Sequence, residues 1–198
     1  MTATGGFSMG GAALGGNAET TLLAREILNE LPEGSLAWVA YESTLTTSQS
    51  LEHVHEFSFV YAKEGPHLLQ SGQDVRNLRP GEGAMVAAGE PHRHASSVGQ
   101  SVFWEVRLSP PGSPPAPGLP NATLVFDSGI IQGIPASPMT TFVLVRVPVD
   151  GETSVHTHPG PELIYQLSGE IDYQNGLIGT KLMGPGDTDG IPPNTSVQ

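Results

Sequence analysis

Residues Val155–Gly169 read V-H-T-H-P-G-P-E-L-I-Y-Q-L-S-G. His156 and His158 are two apart. Alternate side chains of a strand share a face, so both imidazoles are expected to point the same way. Pro159-Gly160-Pro161 interrupts the strand, and Glu162 follows at an even offset from both histidines, leading the apolar run L-I-Y-Q-L. Two imidazoles and a carboxylate converging on one point make up a facial metal triad with open coordination positions. The first half of the chain carries a second His-x-His, His53-Val54-His55.

Around these two stretches the pattern is that of β-structure. Strands are expected at Leu36–Tyr41, Phe57–Ala62, Gly83–Ala88, Ser101–Leu108, Thr123–Phe126 and Thr141–Val149. Turn signals such as K-E-G-P, R-P-G-E-G and A-G-E-P separate them, which predicts an antiparallel sandwich or barrel. Upstream, Leu23, Ile27 and Leu31 sit at i, i+4 and i+8, with a threonine cap at Thr20 or Thr21 and the stop Pro32-Glu33-Gly34. That spacing predicts one short helix over Thr20–Leu31. Residues 1–19 are too rich in glycine for a helix or strand and are expected to form a flexible tail.

The chain has 198 residues, a net charge of −12 and no cysteine. The charge argues against a nucleic-acid or anionic-membrane partner, since either needs a basic face. Without cysteine there is neither a disulfide framework nor a thiolate metal site, which permits a cytoplasmic location. No segment has the length of a membrane span, and the N-terminus lacks a signal-peptide pattern. The run S-P-P-G-S-P-P-A-P-G-L-P-N (Ser109–Asn121) marks the boundary between the halves, and its prolines predict a semi-rigid spacer. The expected organisation is therefore a tail at 1–19, a helix and first β-domain at 20–108, a proline-rich linker at 109–122 and a second β-domain at 123–198.

Aligned on their His-x-His pairs, the halves repeat. After the first, R-P-G-E-G-A-M-V-A-A-G-E-P-H-R-H follows from Arg79; after the second, G-P-G-D-T-D-G-I-P-P-N-T-S-V-Q follows from Gly184. Each has a proline-glycine-acid turn, a few strand residues and a proline-containing turn, and such an internal repeat points to duplicated architecture.

Here the chain resembles the cupin superfamily, as a two-domain bicupin, over roughly Leu36–Gln198. The family pattern is His-x-His-x3-Glu-x6-Gly, then Pro-Gly, a strand, a second turn and a histidine. His156, His158, Glu162 and Gly169 meet the first motif; Pro185-Gly186-Asp187 and Pro192-Pro193-Asn194 meet most of the second, with Val197 where the final histidine belongs. In the first half His53, His55 and His92 match the histidines, and Phe59 stands at the glutamate position.

The resemblance implies an all-β chain of two cupin-type antiparallel β-barrels, jelly-roll like, after the short helix. It implies a divalent transition metal, Fe, Mn, Ni, Zn or Cu, held by His53, His55 and His92 in one barrel and by His156, His158 and Glu162 in the other. The first set is similar to the three-histidine iron sites of cysteine dioxygenases and diketone-cleaving cupins. His94 is a further candidate ligand or a supporting group, and Gln198 could supply an oxygen in the second barrel. Alternatively, either set could be plain polar structure: neutral, hydrogen-bonded histidines in the first barrel, a surface turn in the second.

Glu56, one residue off the histidine face, is expected to point outward. His67 is read as a loop residue, and Trp38, Phe57, Phe59, Tyr61, Phe103, Trp104 and Tyr165 as core. A cupin barrel needs one or two more strands after Val197, so the second barrel is expected to be incomplete, cut short, or to borrow a strand such as Leu36–Tyr41. Its open edge predicts a homodimer.

The expected function is a metal-dependent enzyme, dioxygenase-like, acting on a small organic molecule, with Glu162 also able to serve as catalytic base. A metal-dependent isomerase or lyase, or a non-catalytic small-molecule-binding or sensor cupin, are the alternatives.

Overall fold

The computed structural model describes residues 8–9, 12–13 and 16–198. Its strands, in chain order, are β1 Ser8–Met9, β2 Ala12–Ala13, β3 Glu19–Ile27, β4 Ala37–Thr46, β5 Ser50–His53, β6 Ser58–Glu64, β7 His67–Ser71, β8 Asp74–Leu78 and β9 Gly83–Val86. Then follow β10 His92–Ser96, β11 Gln100–Ser109, β12 Thr123–Asp127, β13 Met139–Arg146, β14 Glu162–Tyr165, β15 Ile171–Asn175, β16 Gly179–Met183 and β17 Thr188–Ile191. The chain is all-β and antiparallel, with no helix among the described residues. It divides into two compact units, residues 32–130 with 23–26, and residues 131–198 with 1–22 and 27–31.

The helix expected over Thr20–Leu31 is therefore corrected to a strand. β3 occupies Glu19–Ile27 and shares a two-stranded sheet with β13. The leucine and isoleucine spacing does not make a buried stripe: Ile27 is exposed and Leu28 is buried. A helix this short is marginal in water, and the β-branched Thr20, Thr21 and Ile27 gain a ladder from the T-T-F-V-L-V segment of β13, so tertiary pairing overrides the local periodicity. The glycine-rich tail expected over 1–19 lies largely outside the described residues.

The first unit is built from two sheets, ordered β5-β10-β7-β8 and β12-β4-β11-β6-β9. The sheets do not close into a barrel. Their core holds Leu45, Val60, Ala62, Leu69, Leu78, Ala84, Val86 and Phe103, which come from both sheets. β11 is the organising strand. It pairs with β4 along its whole length and with β6 on the other side, and nine of its ten residues are buried. Side chains alternate along it, so Ser101, Phe103, Glu105 and Arg107 share one face. Gly83 of β9 pairs with Tyr61, and a methyl placed on it would strike the Phe59 ring and come 2.9 Å from the Val60 carbonyl oxygen. Gly83→Ala is expected to lower stability by about 1–3 kcal/mol through overpacking, read from the urea midpoint.

The segment expected to space two barrels is folded onto the first unit instead. Its prolines cannot donate, but their carbonyls accept. Ser43 Oγ donates to Pro120 O at 2.7 Å, Arg107 Nη2 donates to Pro114 O, and Tyr41 Oη donates to Ser113 O at 2.9 Å. Ala116 is buried and Leu119 packs against the core. Thr123–Asp127, placed by sequence at the start of the second domain, is β12 and pairs with β4. Leu36–Tyr41 lies within the first unit's sheet rather than serving as a borrowed strand, since β4 sits between β12 and β11.

Among the described residues the second unit holds the two-stranded sheets β1-β2, β14-β17 and β15-β16, with β13 and the two ends of its partner β3. It is not a closed barrel. Its core cluster is Tyr173, Met183, Ile191 and Val197, with Ile164 and Ile171 against it.

Candidate metal centre

The inner face of β11 meets histidines from the facing sheet. β10 pairs with β5 so that His92 lies opposite His53, and His94 follows two residues along β10 on the same face. His55 comes from the loop after β5, where Gly89 N donates to its carbonyl at 2.9 Å. The rings crowd together: centroids are 4.5 Å apart for His53 and His92, 4.6 Å for His55 and His92, 4.8 Å for His53 and His55, and 5.0 Å for His92 and His94.

Glu105 enters this cluster from β11. Its Oε2 lies 3.2 Å from His53 Nε2, 3.3 Å from His55 Nε2 and 3.8 Å from His94 Nε2, while its Oε1 is 3.5 Å from Arg107 Nε. The ligating atoms of His53, His92, His94 and Glu105 all lie within 4.8 Å of one another. The side chain of Glu105 is 0% exposed. Both its oxygens, and the Nε2 atoms of His53, His55, His92 and His94, are buried without a hydrogen-bond partner. Buried polar atoms left unpaired are costly, unless something absent from the protein chain itself pairs them.

Each ring is held by its other nitrogen. Nδ1 of His53 lies 3.2 Å from Pro117 O, that of His55 2.6 Å from Glu56 O, and that of His92 2.9 Å from Glu90 O. A carbonyl only accepts, so those three Nδ1 atoms carry the proton and the three Nε2 lone pairs face inward. His94 Nδ1 lies 2.9 Å from His67 Nε2. Outer partners of this kind orient metal-ligating imidazoles. Neutral imidazoles and a carboxylate are the donors that divalent transition metals take, so the cluster can hold a metal ion.

The electrostatics keep the donors ready. Burial pushes His92 below the ordinary imidazole value, and burial together with neighbouring His67 pushes His94 well below it. Burial alone would raise the Glu105 carboxyl, but its approach to His53 and His55 outweighs that and holds it below the usual carboxylate range. The carboxylate is also backed by Arg107, which donates to Glu56 Oε2 at 3.1 Å. Glu56 is thus the partner of a buried arginine and not simply an outward-facing charge.

Of these residues, His53, His55 and His92 are expected from the sequence as ligands, His94 as a further candidate, and Glu105 not at all. Where the resemblance implies a carboxylate, the chain has Phe59, which is buried. The signal for Glu105 was an acid and a base, Glu105 and Arg107, inside the apolar strand run S-V-F-W-E-V-R-L. A charge in a buried strand is retained when it is paired or binds a metal. His67, read as a loop residue, is in β7 and 0% exposed.

In the second unit His158 lies beside each of the other two candidates. The His156 and His158 rings are 5.0 Å apart, and His158 Nε2 lies 3.1 Å from Glu162 Oε2. Only Glu162 is on a strand; His156 makes an isolated bridge to Val197 and His158 lies in the following loop, so a shared strand face is not what aligns the pair. Val197 is buried in the apolar cluster. Gln198 turns its amide to Thr153 O at 3.0 Å. The trio is half-buried, in contrast to the enclosed centre of the first unit.

No family model matches the chain, and no curated protein matches it. Among solved structures, a protein of unknown function from Pseudomonas syringae pv. tomato, assigned to the DUF861 family, is 15% identical over 84% of this chain and 77% of its own, with a TM-score of 0.39. A cupin domain from Bordetella pertussis is 17% identical over 50% of this chain and 99% of its own, with a TM-score of 0.30. The DMSP lyase DddQ from Ruegeria pomeroyi is 16% identical over 52% of this chain and 53% of its own, with a TM-score of 0.31. Structures similar to this chain thus include cupin domains. Among the described residues, no helix is long and apolar enough to cross a membrane.

Proposed function

We propose that this chain is a cupin-type, metal-dependent enzyme acting on a small organic molecule, with its working centre in the first unit. The carrying observation is the convergence of four imidazole Nε2 atoms and the Glu105 carboxylate on one buried point, none with a hydrogen-bond partner. His53, His55, His92, His94 and Glu105 would hold a divalent transition metal, which supplies Lewis acidity and, if iron, manganese or copper, redox capacity toward oxygen. The chain's own residues orient the donors through their Nδ1 contacts, hold Glu105 ionised beside Arg107 and keep water out. A dioxygenase-like reaction leads this reading, and an isomerase or lyase would use the same donors without the redox step.

The enclosure of the centre favours a second reading, a non-catalytic metal or small-molecule sensor. The side chains of His94 and Glu105 are both 0% exposed, and five protein donors leave little room for a substrate that binds through two atoms. The second-unit trio, His156, His158 and Glu162, is proposed as an auxiliary metal site, with Glu162 as its base. A homodimer is part of the same proposal, and light scattering of the purified protein tests it.

Elemental analysis of purified protein decides the central point. Wild type is expected to carry transition metal, His92→Ala/His94→Ala to lose the first-unit metal, and His156→Ala/His158→Ala to retain it. Metal-free wild type after reconstitution with each candidate ion would sink the proposal. Water-proton relaxation of manganese-loaded protein then separates the readings: an exchanging water on the ion supports an enzyme, and its absence supports a sensor.

A further inference from the structure

One more imidazole touches the centre. His67, on β7, is fully buried, with Nε2 2.9 Å from His94 Nδ1 and Nδ1 3.0 Å from Ser101 Oγ. We propose that His67 is a positioning residue of the metal centre, and that the chain Ser101–His67–His94 sets the tautomer in which His94 presents its Nε2 lone pair to the ion. The proposal rests on the metal reading given above.

His94 differs from the other donor histidines. His53, His55 and His92 face backbone carbonyls, which only accept, so their Nε2 lone pairs are committed inward. His94 faces another imidazole nitrogen, which either donates or accepts. Two proton arrangements fit the chain. In one, the Ser101 hydroxyl donates to His67 Nδ1, His67 Nε2–H donates to His94 Nδ1, and the His94 proton sits on Nε2, where it blocks ligation. In the other, His94 Nδ1–H donates to His67 Nε2, and His67 Nδ1–H donates to Ser101 Oγ. The second leaves a lone pair on His94 Nε2, directed toward Glu105 Oε2 at 3.8 Å. A cation in the cluster selects this second arrangement, because only it supplies a fourth imidazole donor.

Among the described residues, the hydrogen-bond partner of His94 Nδ1 is His67 Nε2. His94 is 0% exposed, and its ring stacks on Phe103 at 4.9 Å and 16°. The His67 ring packs against the same Phe103 ring, its centroid 4.3 Å from Phe103 and 5.1 Å from His94. Water cannot substitute for His67 without displacing that packing. Ser101, Phe103 and Glu105 belong to the same face of β11, so one strand supplies the relay's end, its packing surface and the carboxylate.

The test uses the full chain loaded with zinc. Long-range proton–nitrogen NMR of histidine-labelled wild type is expected to show His94 and His67 both protonated at Nδ1. His67→Leu is expected to weaken zinc binding by about 10–100-fold, the usual cost of removing an outer partner. His67→Gln, which keeps an acceptor oxygen, is expected to restore most of the affinity, with its fold monitored by circular dichroism. Zinc-loaded wild type with the His94 proton on Nε2 would overturn the proposal without any variant. So would unchanged zinc affinity in His67→Leu. Wild type that takes up no zinc or other transition metal would overturn the metal reading and this assignment together.

Discussion

Glu105→Gln is expected to weaken binding of a divalent transition metal by more than about 100-fold, because removing even an outer partner of a ligand costs about 10–100-fold. Glu105 is the only acid within reach of the cluster's ring nitrogens among the described residues, at 3.2 and 3.3 Å from His53 and His55. Glutamine keeps the shape but neither the charge nor the second acceptor oxygen. Arg107 retains its bonds to Glu56 and Pro114, so the strand is expected to stay folded. The clean readout is metal-induced stabilisation. Wild type held at a metal concentration 100 times its Kd should gain about 2.7 kcal/mol over its metal-free form, and the variant almost none. Glu52→Gln, an exposed position on β5, serves as the control and should behave as wild type. Equal stabilisation of Glu105→Gln and wild type would mean that histidines alone form the site, and would remove the carboxylate from it.

The second large effect is acid sensitivity of the metal-free protein. His67 is pushed down to about 4 by burial, and burial also holds His92 and His94 below the ordinary imidazole value. Above about pH 6.5 these groups are neutral in both folded and unfolded chains, and stability is insensitive to pH on their account. As pH falls below that value the unfolded chain takes up protons that the folded histidines refuse, so the folded state loses ground. For His67 the loss runs from about pH 6.5 to about 4 and amounts to roughly 3 kcal/mol at its end, since each pH unit is worth about 1.4 kcal/mol. Below the usual carboxylate range Glu105, whose carboxyl is also held low, adds loss of the same sign. Urea midpoints should hold level from pH 7.5 to about 6.5 and fall from there to pH 5. A flat profile would show that these imidazoles are not kept neutral by the fold. Metal should reduce the slope in this range, because a bound cation holds the same imidazoles deprotonated.

Much of the first unit was legible because its strands carry local signals. The apolar runs Leu36–Tyr41, Phe57–Ala62 and Ser101–Leu108 all fall in observed strands, extended or shifted by a few residues. The short strands β5, β7, β8 and β10 were not, because polar residues such as His53, His67, Asp74 and His92 break their alternation. β5 and β7 each take β10 from further along the chain as a partner, while β8 pairs with β7 in a tight hairpin. Thr20–Leu31 shows the converse: a helical spacing that a distant strand outcompetes.

The sequence by itself determined the all-β class, the duplicated His-x-His device and the availability of His53, His55 and His92, since these depend on residue type and short spacing. Only the tertiary structure decided where the carboxylate comes from. Glu105 is 50 residues from His55 and meets it because β11 and the loop after β5 face one another across a core. No local pattern encodes such a contact. Tertiary structure likewise turned His67 from a loop residue into the buried neighbour of His94, folded the proline-rich segment onto the first unit through its carbonyls, and buried Val197 where a fourth ligand was sought. In each case the deciding term is burial, which depends on every strand at once.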